Sequence, residues 1–246
     1  MPTPRQQIST QHGVTGSLNH QTDRNYMVER FMRLPQLNAS IDVVTANKNF
    51  EILGTNASND DVTLSPGGGV KIETDTSSAD QVIVLPHTDA GQSAWFGTKW
   101  STNDEIHWGC LITTGTSVAN TTIWAGLKKT NVSAIADDTN QAFFRYEAAT
   151  NSGTWGAVSS VGGDDIVQNT GLAVAASTNY KLEIKIDSSQ NISFYINGRQ
   201  YTNSSPQTIA AGLIDQIPYI GIEADSAAAT HMFVRREWIS QNYTIT

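Results

Sequence analysis

Tyr180-Lys181-Leu182-Glu183-Ile184-Lys185-Ile186-Asp187, then a turn at Ser188-Ser189-Gln190, then Asn191-Ile192-Ser193-Phe194-Tyr195-Ile196-Asn197-Gly198, is the stretch that decides the fold. In the first arm Tyr180, Leu182, Ile184 and Ile186 alternate with Lys181, Glu183, Lys185 and Asp187. In the second, Ile192, Phe194 and Ile196 alternate with Ser193, Tyr195 and Asn197. A period of two in both arms means two antiparallel strands, each with one buried and one wet face. Asn197-Gly198 supplies turn chemistry for a second reversal into Arg199–Thr202.

Working outward, the same grammar repeats. Strands are expected at Ile41–Ala46, Phe50–Gly54, Val62–Leu64, Val70–Thr74, Gln81–Leu85, Glu105–Thr113 and Thr121–Lys128. Further strands are expected at Gln141–Ala148, Trp155–Val161, Asn179–Asp187, Ile192–Asn197, Ile217–Ala224 and His231–Ile239. Ser65-Pro66-Gly67-Gly68-Gly69, Asn151-Ser152-Gly153 and Gly162-Gly163-Asp164-Asp165 read as turns between them. Many short strands at this spacing imply an all-β, two-sheet jelly-roll sandwich over residues 41–246. A single domain of this size is within the ordinary range for sandwiches.

Residues 1–40 read differently, as an extended arm. Residues 1–21 are polar and aperiodic, which favours an extended segment. Asp23 is a candidate N-cap, and Tyr26, Met27, Phe31 and Leu34 fall on one side at helical spacing until Pro35 stops the run. The pattern predicts an amphipathic helix over 23–34 that must pack on something. Tyr26, Met27, Arg30, Phe31 and Leu34 are the candidate docking residues, either on this sandwich or on a neighbouring subunit.

The 246 residues carry a net charge of −8. Residues 1–36 hold Arg5, Arg24, Arg30 and Arg33 against Asp23 and Glu29, so the acidic excess lies in the body. Such a body argues against nucleic acid as a partner, because phosphate contacts need a basic surface. The one cysteine, Cys110, permits no intramolecular disulfide; it shares a face with Ile106, Trp108 and Ile112 and reads as a small buried hydrophobe. No apolar run reaches membrane-span length, and the start Met-Pro-Thr-Pro-Arg lacks the apolar stretch of a secretory signal, which places synthesis in a cytoplasm.

Asp80–His87, Thr121–Lys128, Gln141–Glu147 and Ile217–Ala224 resemble a laminin-G-like module of tailed-bacteriophage virion proteins. The Tyr180–Gly198 hairpin is similar to the late hairpin of concanavalin A-like sandwiches. The likeness runs from about Phe50 to Ile239. It implies a decoration or cement protein on the capsid surface, with the major capsid protein and further copies of itself, as dimer or trimer, for partners.

Catalytic signatures known on this fold are incomplete here. Glucanase-type Glu-X-Asp-X-X-Glu is approached at Glu73–Ser78 and Glu223–Ala228, but the second Glu is Ser78 or Ala228. A retaining pair needs two carboxyl groups about 5–5.5 Å apart, so the expectation is no enzyme. No phosphate loop, nucleophile elbow or histidine metal spacing is present. The acidic pairs Asp60-Asp61, Asp137-Asp138 and Asp164-Asp165 could hold calcium, although turn acids are the simpler reading; no cofactor is expected. Trp124, Phe143 and Arg145 lie on the polar side of their strands and Trp155 lies near a loop. They are the candidates for stacking on a sugar or contacting a subunit, which leaves a carbohydrate-binding module of a phage fibre or adhesin as the alternative.

Overall fold

The computed structural model describes residues 24–35, 37–38, 50–86, 100–130, 133, 138–201, 207–210 and 215–242. Its strands begin with β1 (Arg24–Glu29), β2 (Leu37–Asn38), β3 (Phe50–Leu53), β4 (Val62–Leu64), β5 (Val70–Glu73) and β6 (Gln81–Leu85). They continue with β7 (Trp100–Ser101), β8 (His107–Thr114), β9 (Thr121–Lys128), β10 (Asn140–Glu147), β11 (Thr154–Val161) and β12 (Asp164–Ala173). The last are β13 (Asn179–Ile186), β14 (Asn191–Ile196), β15 (Arg199–Tyr201), β16 (Gln207–Thr208), β17 (Asp215–Ala224) and β18 (His231–Asn242).

Two sheets form. Sheet I has the order β15-β14-β13-β8-β18-β5-β4, with β1 also on β18 and β16 on β14. Sheet II runs β12-β11-β10-β9-β17-β6-β3-β2, with β7 on β17. Nearly every neighbour is antiparallel; β2 with β3 is parallel. The chain is therefore an all-β sandwich, as the alternation implied.

The opening hairpin shows how the pattern becomes structure. Leu182, Ile184, Ile186, Phe194 and Ile196 are all buried in the core between the sheets, while Lys181 and Lys185 are exposed. Ile196 pairs with Arg199, leaving Asn197-Gly198 as a two-residue loop with both φ positive, 52° and 80°. That is the type I′ geometry matched to strand twist, which Asn and Gly adopt most readily. Cys110 is buried among the core residues, and burial pushes its thiol well up.

The segment expected to be a helix is a strand. Arg24–Glu29 pairs residue for residue with Asn242–Glu237 of β18. A helix of three turns is marginal by itself, whereas the free edge of β18 offers a complete hydrogen-bond ladder. Met27 then faces the core, and Val28 lies against the outer face opposite Trp238. Beyond the strand, Phe31 turns with φ 48°, its N–H donated to Glu29 Oε1 at 2.5 Å. Its ring packs 5.7 Å from that of Phe50. Phe31 thus anchors the segment on its own sandwich. The expected strand Ile41–Ala46 and the candidate cap Asp23 lie outside the described residues. Asp164-Asp165, read as turn, opens the ten-residue strand β12 instead; the turn is Gly162-Gly163, both with positive φ.

Candidate functional site

Register decides which side chains share a face. Trp124 and Lys128 on β9, Phe143 and Arg145 on β10, and Tyr219 on β17 all point away from the sandwich core, on the outer face of sheet II. This brings Trp124, Phe143 and Arg145 together as the alternation implied. Trp155 on β11 points the other way, into the core, edge-on to Phe144, Tyr146 and Tyr180.

The outer face is packed rather than open. Trp124, Phe143 and Tyr219 form a second apolar cluster with Ile83, Leu85, Val158 and Ile217. Trp124 is 0 % exposed and Phe143 1 %. The indole of Trp124 lies on Gly221, where an added Cβ would come within 2.6 Å of Nε1. It stacks against Tyr219, with ring centroids 6.4 Å apart and planes at 26°. Lys128 is fully buried, its ammonium 4.6 Å above the Tyr219 ring and 3.9 Å from Asp138. Burial raises the Tyr219 phenol well above its ordinary value, and its hydroxyl donates to Ser133 O at 3.0 Å. Neither Trp124 nor Phe143 presents a free ring to a sugar. Their placement corrects the expectation of exposed stacking residues: the polar alternation marks the outer face, but there the rings pack on one another and on Gly221.

Polar groups keep solvent access at the opposite end of the same face. Glu223 accepts from Gln81 Nε2 at 2.6 Å, and Asp225 accepts from Thr122 Oγ1 at 2.9 Å. Arg145 Nε stands 3.3 Å from Glu147. Burial first, then the Glu147 charge, pushes the Asp225 carboxyl up. Glu147 and Glu223 both pair with Thr122 in register, on strands either side of it. Two strand spacings put their backbones roughly 10 Å apart. The other near-motif residue, Glu73, lies on sheet I beside Lys71 and His231.

Of the arm candidates, Tyr26 and Met27 are half-buried in β1 and Phe31 is buried, whereas Arg30 and Leu34 are exposed. Met32, which helical spacing passed over, is 81 % exposed. Among the described residues no group of three or more His, Cys, Asp or Glu stands together as a metal site. Asp61 caps the turn at Ser58, and Asp138 accepts from Thr130 N and Oγ1.

Sheet I carries a different outer face, which the sequence reading named only as wet. Lys71, Lys181, Lys185, Arg235 and Arg236 project from it, against Glu73 and Glu183. Trp238 lies on Gly109 as Trp124 lies on Gly221, between the Lys181 ammonium (5.6 Å) and the Arg236 guanidinium (5.1 Å). Lys185 stands 4.9 Å over Tyr195 and Arg235 4.6 Å over Phe233. The strict Lys181/Glu183/Lys185 alternation was the available signal.

No protein-family model matches the chain, and no curated protein matches it. Solved structures do. A protein of unknown function from Shewanella oneidensis MR-1 aligns over 100 % of this chain and 98 % of its own, with TM-score 0.60 and 14 % identity. The β-glucanase of Bacillus licheniformis aligns over 89 % and 98 %, with TM-score 0.55 and 8 % identity. The Emp47p carbohydrate recognition domain aligns over 86 % and 95 %, with TM-score 0.54 and 7 % identity. These likenesses establish a jelly-roll, concanavalin A-like fold shared with glycan-active and glycan-recognising proteins.

Proposed function

We propose that this chain is a non-catalytic structural protein of a tailed-phage virion, of the decoration or cement type. The observation that carries the reading is the packed outer face of sheet II, where Trp124, Phe143 and Tyr219 pack on one another and leave no ring free to stack on a sugar. The phage-module resemblance of the same strands supplies the class. A protein that binds only the assembled shell stabilises it by mass action, by RT ln(1 + [L]/Kd), and repetition over many sites multiplies the effect.

Two surfaces suit such contacts. The turn after β1 presents Met32 and Leu34 beside Arg30 and Arg33, with Phe31 as its internal anchor. Strand β12 ends its sheet with Ile166 and Val167, 45 % and 40 % exposed. The strands that end the other sheet paths, β15, β4 and β2, are two or three residues long, which blunts edge pairing there, whereas β1, beside β18, is a six-residue edge. We assign the first surface to the major capsid protein and the second to further copies of this chain. A Met32→Asp/Leu34→Asp variant with an unchanged melting temperature should load on expanded capsids at least tenfold less than wild type. Equal loading would sink the first assignment.

A further inference from the structure

Among the described strands β1 pairs with β18 alone, and its last pair sets Glu29 directly opposite Glu237. Glu237 is 2 % exposed and shares the core side of the sheet with Cys110, its register partner on β8. Like charges directly opposite destabilise a strand pair. A buried carboxylate without a cation is costlier still. Among the described residues no Lys, Arg or His lies within 4 Å of either carboxylate.

The surroundings offer no other relief. From β8 the Trp108 indole donates to Glu237 Oε1 at 3.0 Å, and Cys110 stays neutral because burial and the Glu237 charge push its thiol well up. On β18 itself Arg236 lies over Trp238 on the opposite, outer face. Arg30, next to Glu29, is exposed. The core sides of β3, β6 and β17 bring Phe50, Ile52, Val84 and Ile220, none of them titratable. Burial first, then the Glu29 charge, pushes the Glu237 carboxyl from 4.5 to about 8. Glu29 meanwhile holds the turn, since its Oε1 accepts the Phe31 N–H. The facing pair therefore sits where β1 and the turn that follows it are fastened to the sandwich. If β1 lifts away, water reaches both carboxylates and Glu237 returns toward 4.5.

We propose that β1 is a pH-gated clasp: loss of the Glu237 proton releases Arg24–Glu29 and the Phe31 turn from the edge of β18 while the sandwich stays folded. The clasp stands independently of the virion reading; where that reading holds, the gate acts on the Met32 and Leu34 surface. The closed clasp keeps, up to about 8, a proton that the open one gives up above about 4.5. Opening should therefore grow about tenfold per pH unit between those values and level off above them. Amide hydrogen exchange of the full chain from about pH 5 to about pH 9, corrected for intrinsic exchange rates, tests this. Protection of Arg24–Glu29 should fall about tenfold per pH unit until about pH 8. It should stay below that of Leu182 and Ile184 on β13 throughout. Glu237→Gln should abolish the slope. Glu29→Gln should make the fall level off at a lower pH, because the charge facing Glu237 is gone. Equal protection of β1 and β13 at every pH would mean that β1 leaves only when the whole sandwich unfolds, and overturns the clasp. A flat wild-type profile, an unchanged slope in Glu237→Gln or an unaltered profile in Glu29→Gln overturns it too. Should Glu237→Gln fail to fold, the wild-type and Glu29→Gln profiles decide.

Discussion

Both sheets lay an indole on a glycine of the neighbouring strand, yet the two outer faces end up as opposites. On sheet II, Trp124 over Gly221 is flanked by Tyr219 and Phe143 and loses all contact with water. On sheet I, Trp238 over Gly109 is flanked by Lys181 and Arg236, whose charged ends stay near solvent. Glycine removes the Cβ that would keep the ring away in each case. What differs is the partner: an apolar ring on one side commits the face to packing, and a cation on the other keeps it polar. Long cationic side chains cover an aromatic surface with their stems while their heads remain wet.

The largest way to break this contrast is Trp124→Ala. If the ring is core-like, its removal should lower unfolding free energy by about 3–5 kcal/mol in urea denaturation. An exposed stacking tryptophan would cost far less, and a change under about 1 kcal/mol would refute a packed face.

The inner side of sheet I supplies the next test. Glu237 is buried, accepts from Trp108 Nε1 at 3.0 Å, and lies directly opposite Glu29 of β1. Burial first, and the Glu29 charge as well, push its carboxyl from 4.5 to about 8, against the lowering effect of the Trp108 bond. The folded state therefore holds a proton that the unfolded chain gives up. Its contribution is full below about 4.5 and is lost as pH rises to about 8. On the order of a few kcal/mol should disappear across that window. Glu237→Gln should flatten the difference, seen by comparing denaturation midpoints of the two proteins at several pH values; parallel curves would contradict it.

The smallest effect belongs to the wet face. Lys181, half-exposed over Trp238 and 2.9 Å from Glu183, should contribute about 0.5–1 kcal/mol at most when changed to Ala. A loss comparable to that of Trp124→Ala would mean sheet I is packed in the same way as sheet II.

These differences explain what the sequence could and could not convey. Alternation in Tyr180–Ile196 fixes a hairpin and its buried side, because a one-residue slip would reverse every side chain. The same rule places Trp124, Phe143 and Arg145 on one face. It does not say what lies over them: Lys128 reads as a wet residue until the Tyr219 ring and Asp138 are brought beside it by folding. The segment Arg24–Leu34 misleads for a related reason. Tyr26, Met27, Phe31 and Leu34 fit a helical stripe, but the long-range ladder on β18, more than two hundred residues away in sequence, overrides local spacing. Strand β12 escaped notice because Asp164-Asp165 follow two turn glycines and both its faces are mixed.

The most direct test of the contrast is solvent access at one ring. The protein labelled with 5-fluorotryptophan, with Trp124→Phe to assign the signal, can be exposed to a soluble gadolinium chelate and followed by fluorine NMR. The expected result is that Trp124 is relaxed no more than Trp108, which lies in the core between the sheets. A Trp124 signal broadened well beyond that of Trp108 would show the outer face of sheet II open to solvent and contradict the division between a packed apolar face and a charged one.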